Sequence, residues 1–182
     1  MSTGKVFPWA EAFVVAQDVA KKIEPHVVRS KCVGSLRRRR PYVGDIEFVV
    51  EPRIVDVDLL GTKGPDLASL RKEVESWSEW VKGGERMWQV RHVFGVPDLV
   101  LELWLCHPPA EWGSRVAIRT GPKELGMEAV TRLRRLGRPH DRGHIPGHPT
   151  PTEEEFFRLA ELECRPPHQR DDYIADIEAW RD

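Results

Sequence analysis

The sequence has few cysteines and no long apolar run. Its three cysteines, Cys32, Cys106 and Cys164, are too few and too scattered for a disulfide framework or a zinc knuckle. Cys32 and Cys106 lie in apolar, strand-like segments, so we expect buried thiols of a cytoplasmic protein. No apolar stretch approaches the roughly 20 residues that span a bilayer, and the N-terminus lacks the pattern of a signal peptide. The sequence therefore predicts no membrane contact.

The sequence also lacks an excess of charge of either sign. With 28 Lys and Arg against 29 Asp and Glu, it generates no global cationic field. Any affinity for nucleic acid must therefore come from a local patch. At 182 residues and 40% hydrophobic composition, the chain can bury one core comfortably or form two small lobes.

One charged stretch joins four consecutive arginines to two carboxylates. Its second half, residues 45–50, is rich in β-branched and aromatic residues and is bounded by Gly44 and Pro52, which predicts a strand. Alternation along a strand places Asp45 and Glu47 on the same face. Adjacent carboxylates repel each other unless a divalent cation neutralises them. Alone, the D-x-E pattern is also consistent with a strand whose outer face is solvated.

The first half of this stretch is suited to phosphate. Gly34 and Ser35 close an apolar segment that begins at Val27, and a strand-to-helix turn of small residues lets backbone amides approach a phosphate. Residues 37–40 are all arginine, whose planar guanidinium groups bind phosphate oxygens in pairs. They cannot all point one way from a helical turn, so we expect one or two at the phosphate. A solvated charge run and a general nucleic-acid patch are the alternatives.

Together the two halves resemble the catalytic palm signature of the DNA polymerase X family, the polymerase beta-like nucleotidyltransferases. The family pattern G-S-x-R-R followed by G-D-x-[DE] is matched, at the family's spacing, by Gly34, Ser35, Arg37, Arg38, Gly44, Asp45 and Glu47. The resemblance implies an α+β fold, with a palm of mixed twisted sheet flanked by helices and a small C-terminal thumb. It also implies that Asp45 and Glu47 bind two Mg²⁺ or Mn²⁺ ions and that Gly34, Ser35, Arg38 and Gly44 bind the triphosphate of a nucleotide.

The family places a third carboxylate on a neighbouring strand, at the metal that activates the attacking 3′-hydroxyl. Residues 98–106 predict such a strand, with Asp98 and Glu102 on one face and leucines on the other. The segment 101–104, followed by a proline turn, resembles the family's V-D-L strand, which makes Glu102 the candidate and Asp98 the alternative. The family usually has Asp here, so Glu102 could instead be a charge at a sheet edge.

Downstream, the resemblance continues into the thumb. Thr120 and Gly121 match the T-G of the thumb signature, which implies contact with the incoming sugar. Ile118 and Arg119 stand where the family has an aromatic pair, and Gly126 stands where an Asn is usual. These departures put sugar discrimination and reading of the base in doubt. We therefore expect ribonucleotides to be poorly excluded.

The helix predicted over 123–136 carries the densest cationic segment after the first motif. Arg132, Arg134 and Arg135 lie on its outer face and form a candidate DNA-phosphate surface. A solvated helix face is the alternative.

Periodicity predicts the remaining elements. We expect a helix over 9–24 with Phe13 and Val14 among its inward residues, a helix over 66–81 capped by Asp66, and a strand over 86–93. Helices should also begin at Thr152 and Asp171, the last one carrying Trp180. Residues 52–65 predict a polar connection in which Asp56 and Asp58 are loop carboxylates.

The reaction that the resemblance implies is nucleotidyl transfer to a 3′-hydroxyl. The palm should cover residues 1–112 and the thumb 113–182. Only 33 residues precede Gly34, so we expect a reduced form without a lyase domain, like the short members found in phages and prophages. The expected partners are a nucleoside triphosphate and DNA primer-template or DNA ends, bound by a monomer. The alternatives are transfer to a small molecule or protein, and a catalytically silent DNA-binding accessory module.

Overall fold

The computed structural model describes residues 5–56 and 61–179, which fold into an α+β structure with a mixed five-stranded sheet. The described strands are β1 Phe7–Pro8, β2 Val27–Val33, β3 Tyr42–Val43, β4 Ile46–Pro52, β5 Ile54–Asp56, β6 Lys63–Pro65, β7 Glu79–Gly83, β8 Met87–Arg91 and β9 Val100–Leu105. The large sheet has the order β2-β4-β9-β8-β7. Its central pair, β4 and β9, is parallel, and the other pairs are antiparallel. The predicted strands over 45–50, 86–93 and 98–106 are confirmed to within a few residues.

Seven α-helices lie within the described residues. They are α1 Trp9–Ile23, α2 Gly34–Arg37, α3 Leu67–Glu75, α4 Trp112–Thr120, α5 Lys123–Arg135, α6 Glu153–Leu159 and α7 Arg170–Ala179. The Asp66 carboxylate accepts from the Ser69 amide at 3.0 Å, and the Thr152 hydroxyl accepts from the Glu155 amide at 3.3 Å. The predictions for Asp58 and Trp180 lie outside the described residues.

The helix predicted over 66–81 is wrong in its second half. The α3 helix ends at Glu75, and residues 79–83 form β7, an edge strand that pairs with β8. Pairing with β8 and contact between the rings of Trp80 and Trp88, 5.6 Å apart, outweigh a helical periodicity that continues through this segment. Propensity is a weak guide where a neighbouring strand is available.

Two other predictions are corrected. The connection 52–65 contains a short antiparallel ladder between β5 and β6, in which Asp56 lies opposite Lys63. Phe13 and Val14 do not face the core, since they are 40% and 57% exposed. The α1 helix buries a neighbouring stripe instead, formed by Ala12, Ala16, Val19 and Ile23.

The large sheet has a different helical layer on each face. The α1 and α3 helices pack on the face that carries Phe48 and Leu103. The α4 helix, which periodicity did not predict, packs through Val116 on the opposite face against Val33 and Val49. Because side chains alternate along β4, Glu47 shares this second face with Val49.

The C-terminal residues contribute a second cluster of buried apolar side chains from α4, α5, α6 and α7. The division into residues 1–112 and 113–182 stays a prediction. None of the helices within 5–56 and 61–179 combines the length and the apolar character needed to cross a bilayer. The cysteines are free thiols, with Cys106 buried and Cys32 and Cys164 half-buried.

Candidate active site

The three candidate carboxylates meet on the α4 face of the sheet. Glu47 on β4 lies directly opposite Glu102 on β9 in the parallel ladder, and Asp45 precedes β4 by one residue. Neighbouring strands in a sheet lie about 4.8 Å apart, which fixes the separation of the two backbones. The register of β4 and β9 therefore places Glu47 and Glu102 side by side, and the charge interactions of Asp45 with both place it near them.

Asp98, the alternative third carboxylate, lies elsewhere. It precedes β9 with a left-handed φ of 64° and points to Lys5, whose ammonium group is 3.8 Å from its carboxylate. The prediction that Asp98 shares the face of Glu102 is wrong, because the chain turns before the strand begins. Glu102 is instead held within the sheet by Gln89 of β8, whose Nε2 donates to it at 2.8 Å.

The electrostatics of this acidic cluster are unfavourable in the absence of a cation. Burial, followed by repulsion from Asp45 and Glu102, raises the pKa of Glu47 from 4.5 to about 7. Burial and repulsion from Glu102 likewise raise the pKa of Asp45. An arrangement of this kind is costly for stability and is typical of functional sites.

A glycine makes room for the Glu47 carboxylate. Gly34 begins α2 with a φ of +70°, and a Cβ atom there would overlap Glu47 Oε2. The Gly34-Ser35 turn thus lies directly against the acidic cluster. Any side chain at position 34 would displace the carboxylate or the turn.

One arginine of the site was not predicted. Arg119 on α4 lies with its Cζ 3.3 Å from the centre of the Trp104 ring, two residues beyond Glu102 on β9. Burial lowers the pKa of Arg119, while Glu47 and Glu102 oppose that shift. The indole Nε1 of Trp104 is buried and has no hydrogen-bond partner of ordinary geometry in the described part of the chain, although its proximity lowers the pKa of Glu47 slightly. Arg119 could have been identified from the sequence, because it stands where the family has an aromatic residue.

A cleft of about 650 Å³ opens beside Glu47. Four cationic side chains line it, together with Gly121 of the predicted thumb signature; they are Arg38, Arg119, Lys123 and Arg134. Apolar and small residues complete its wall, among them Ile118, Gly126 and Met127. The cleft thus combines the Glu47 carboxylate with a cationic and partly apolar wall, which suits an anionic ligand that carries a ring.

The predicted phosphate arginines are already engaged. Arg38 donates to the Thr120 carbonyl, and its Nε lies 3.3 Å from the Asp171 carboxylate. Arg37 donates to the Thr120 hydroxyl and to Glu153, each at 2.5 Å. Thr120 is fully buried, so its side chain positions Arg37 and does not line the cleft.

Of the three predicted DNA-phosphate arginines, one is engaged within the protein and two are exposed. Arg132 pairs with Glu128 at 2.8 Å and donates to the Glu161 carbonyl at 3.0 Å. Arg134 and Arg135 are exposed, and Arg134 reaches the cleft. The candidate surface therefore depends more on Arg134 and Arg135 than on Arg132.

Oxygen donors alone form the acidic cluster, which suits hard divalent ions such as Mg²⁺ and Mn²⁺. Within 5–56 and 61–179, no group of three or more His, Cys, Asp or Glu side chains is close enough to hold a metal ion as it stands. A scan of protein-family models finds none that matches this sequence, and no curated protein is significantly similar to it.

Proposed function

We propose that the protein is a metal-dependent nucleotidyltransferase that adds a nucleotide to a 3′-hydroxyl of DNA. The observation that carries this proposal is the convergence of Asp45, Glu47 and Glu102 from a parallel strand pair, beside a Gly-Ser turn. In this proposal the large sheet is the nucleotidyltransferase palm, and residues 113–182 act as the thumb.

The acidic cluster fits a pair of divalent ions. Asp45 and Glu47 would hold both, and Glu102 would hold the one nearest the 3′-hydroxyl. The raised pKa of Glu47 supports this assignment, because positive charge would offset both the burial and the repulsion that cause it. When bound, Mg²⁺ or Mn²⁺ neutralises phosphate charge and lowers the pKa of the attacking hydroxyl.

Residues of the cleft and, outside its lining, Gly34, Ser35 and Gly44 bind and orient the nucleotide. The amides of the Gly34-Ser35 turn and of Gly44 contact the triphosphate, and the guanidinium of Arg38 exchanges Asp171 for phosphate oxygens. Gly121 leaves room for the Arg38 guanidinium, since a Cβ there would lie 2.8 Å from Arg38 Nη1. Lys123 and Arg134 supply further positive charge along the same wall.

The transfer is an in-line displacement at the α-phosphorus. The acceptor 3′-oxygen forms a bond to that phosphorus, and the bond from the phosphorus to the oxygen bridging to the β-phosphate breaks. The proton of the hydroxyl passes to a carboxylate oxygen of Glu102, which Gln89 orients. Pyrophosphate leaves with the electron pair of the broken bond.

One observation favours a second candidate, a catalytically silent DNA-binding module. Arg119 supplies positive charge to Glu47 and Glu102 from within the chain, as the opposing effects on its pKa indicate. A protein that needed no metal could stabilise its carboxylates in this way.

Primer extension separates the two. Gapped, nicked and single-stranded DNA is incubated with each nucleoside triphosphate, with Mg²⁺ or Mn²⁺. We expect extension that is lost on Asp45→Ala and on Glu102→Gln and retained by the matched control Asp98→Asn, whose carboxylate faces Lys5. Absence of extension on every substrate would favour the silent module, and extension by Asp45→Ala would rule out this site. A deoxynucleotide preference would defeat the expectation that ribonucleotides are poorly excluded.

A further inference from the structure

A second cleft, of about 760 Å³, lies beside α1. We call it the α1 groove; it is lined by Trp9, Phe13, Lys31, Cys32, Leu36, Arg37 and Arg39. No carboxylate is among the described residues that line it. An apolar aromatic wall therefore faces a wall that is purely cationic.

The aromatic wall is rigid and open to solvent. The Trp9 indole Nε1 donates to the Leu36 carbonyl at 2.9 Å, and the Trp9 amide donates to the Pro41 carbonyl at 2.9 Å, so the ring is fixed in place. The Phe13 ring stacks on Trp9 at 4.7 Å with an interplanar angle of 14°. Phe13 nevertheless remains 40% exposed, although its spacing predicted a core position. An aromatic ring that is immobilised on one side and exposed on the other offers a stacking platform at low entropic cost.

The cationic wall is available to a ligand. Lys31 and Arg39 are exposed, and neither forms an ion pair with any residue in 5–56 or 61–179. Arg39 adopts a left-handed φ of 60°, a conformation in which glycine would be less strained. An arginine in a strained conformation, with no ion-pair partner among the described residues, is consistent with a side chain that serves an external ligand.

We propose that the α1 groove binds single-stranded nucleic acid, with a base stacked on Phe13 and phosphates at Lys31 and Arg39. A flat ring beside separated cations matches the alternation of base and phosphate along a strand. Bases in a duplex are already stacked and cannot present a face to Phe13, which is why the ligand is single-stranded. The proposal does not require nucleotidyl transfer. The groove and the acidic cluster do share α2, since Gly34 abuts Glu47 and Arg37 lines the groove.

Binding of a fluorescent oligo-dT and of an abasic oligomer of equal length, measured by anisotropy in EDTA without nucleotide, tests the proposal. We expect Phe13→Ala to weaken oligo-dT binding about tenfold, Phe13→Trp to retain it, and Phe13→Ala to leave binding of the abasic oligomer unchanged. The double variant Lys31→Ala/Arg39→Ala should reduce the slope of log K against log salt by about 1.4, which corresponds to two phosphate contacts.

Two controls sharpen the outcome. Val14→Ala alters an exposed apolar residue of α1 outside the groove, and Lys21→Ala/Lys22→Ala removes two basic residues from the same helix; both should bind as the unaltered protein does. Asp45→Ala should also bind normally, which distinguishes failure of this proposal from failure of the catalytic one. Equal affinity for the abasic oligomer and oligo-dT, or equal losses in Phe13→Ala and Val14→Ala, would overturn the stacking site. Full affinity in Lys31→Ala/Arg39→Ala would overturn the phosphate contacts.

Discussion

Two partly buried charge clusters meet at α2 and differ in how their charges are balanced. The acidic cluster of Asp45, Glu47 and Glu102 brings like charges together, and burial followed by this repulsion raises the pKa of Glu47. The second, which we call the arginine cluster, joins Arg37 and Arg170 through Glu153, at 2.5 and 2.9 Å. Burial alone would raise the pKa of Glu153, but the two arginines outweigh it and lower that pKa.

The acidic cluster is suited to binding a ligand, whereas the arginine cluster holds helices together, a role that we call a structural joint. Ion pairs in the arginine cluster attach α2 to α6 and α7 without external help, although Glu153 Oε1 and Arg170 Nη1 have no hydrogen-bond partner among the described residues. Arg170 is 1% exposed, so its charge depends on Glu153 for compensation. The acidic cluster lacks such compensation apart from Arg119, and its energy is lowered only when positive charge arrives.

The largest expected effect is the loss of stability on Glu153→Ala. This change leaves two arginines buried without their shared carboxylate, which should lower the free energy of unfolding by about 3 to 5 kcal/mol. Urea denaturation measures it, with Glu155→Ala as the control, since Glu155 pairs at 2.6 Å with an Arg158 that is 68% exposed. Equal midpoints for the two variants would mean that the arginine cluster is not a structural joint.

The next effect is a pH dependence of stability caused by Glu47. Its pKa is about 7 in the folded protein against an ordinary value of 4.5, so between these pH values the folded state binds more protons than the unfolded state. The free energy of unfolding is therefore highest below about pH 4.5. It falls by about 3 kcal/mol as the pH rises through about 7.

Glu47→Gln should abolish this fall, as measured by urea denaturation in EDTA across that range. Adding Mg²⁺ at pH 8 should stabilise the unaltered protein and not the variant. Parallel pH profiles for the two proteins would show that the acidic cluster is not under electrostatic strain.

The smallest expected effect concerns Arg119. The Arg119 guanidinium and a bound metal ion would both be attracted by Glu47 and Glu102 and would repel each other. Arg119→Ala should therefore raise Mn²⁺ affinity about fivefold, or about 1 kcal/mol. Calorimetric titration measures it, with Arg119→Lys as the charge-preserving control. Weaker Mn²⁺ binding by Arg119→Ala than by Arg119→Lys would assign Arg119 a supporting role in the metal site.

Much of the site could be predicted because it depends on local alternation. The faces of β4 and β9 followed from the apolar residues between the charges, and burial of Phe48 and Leu103 confirms them. The position of Asp98 could not be predicted, since a backbone turn just before β9 redirects it.

The parts that escaped prediction depend on contacts between distant segments. The β7 strand is an exception, since it pairs with β8 only a few residues further along the chain, and the helical periodicity over 66–81 concealed that hairpin. Arg119 joins the site through the packing of α4 on Trp104, and the arginine cluster requires residues from α2, α6 and α7. Periodicity describes one element at a time and carries no information about such contacts.

The parallel pairing of β4 with β9 has a consequence for synthesis on the ribosome. Asp45 and Glu47 emerge first, and all of β5 to β8 must be translated before Glu102 follows. At about 5 to 20 residues per second, the nascent chain spends seconds with its first two carboxylates hydrated and apart from the third. The repulsion among the three carboxylates therefore arises only when β9 pairs with β4, and the burial of apolar residues of β9 offsets it at that step.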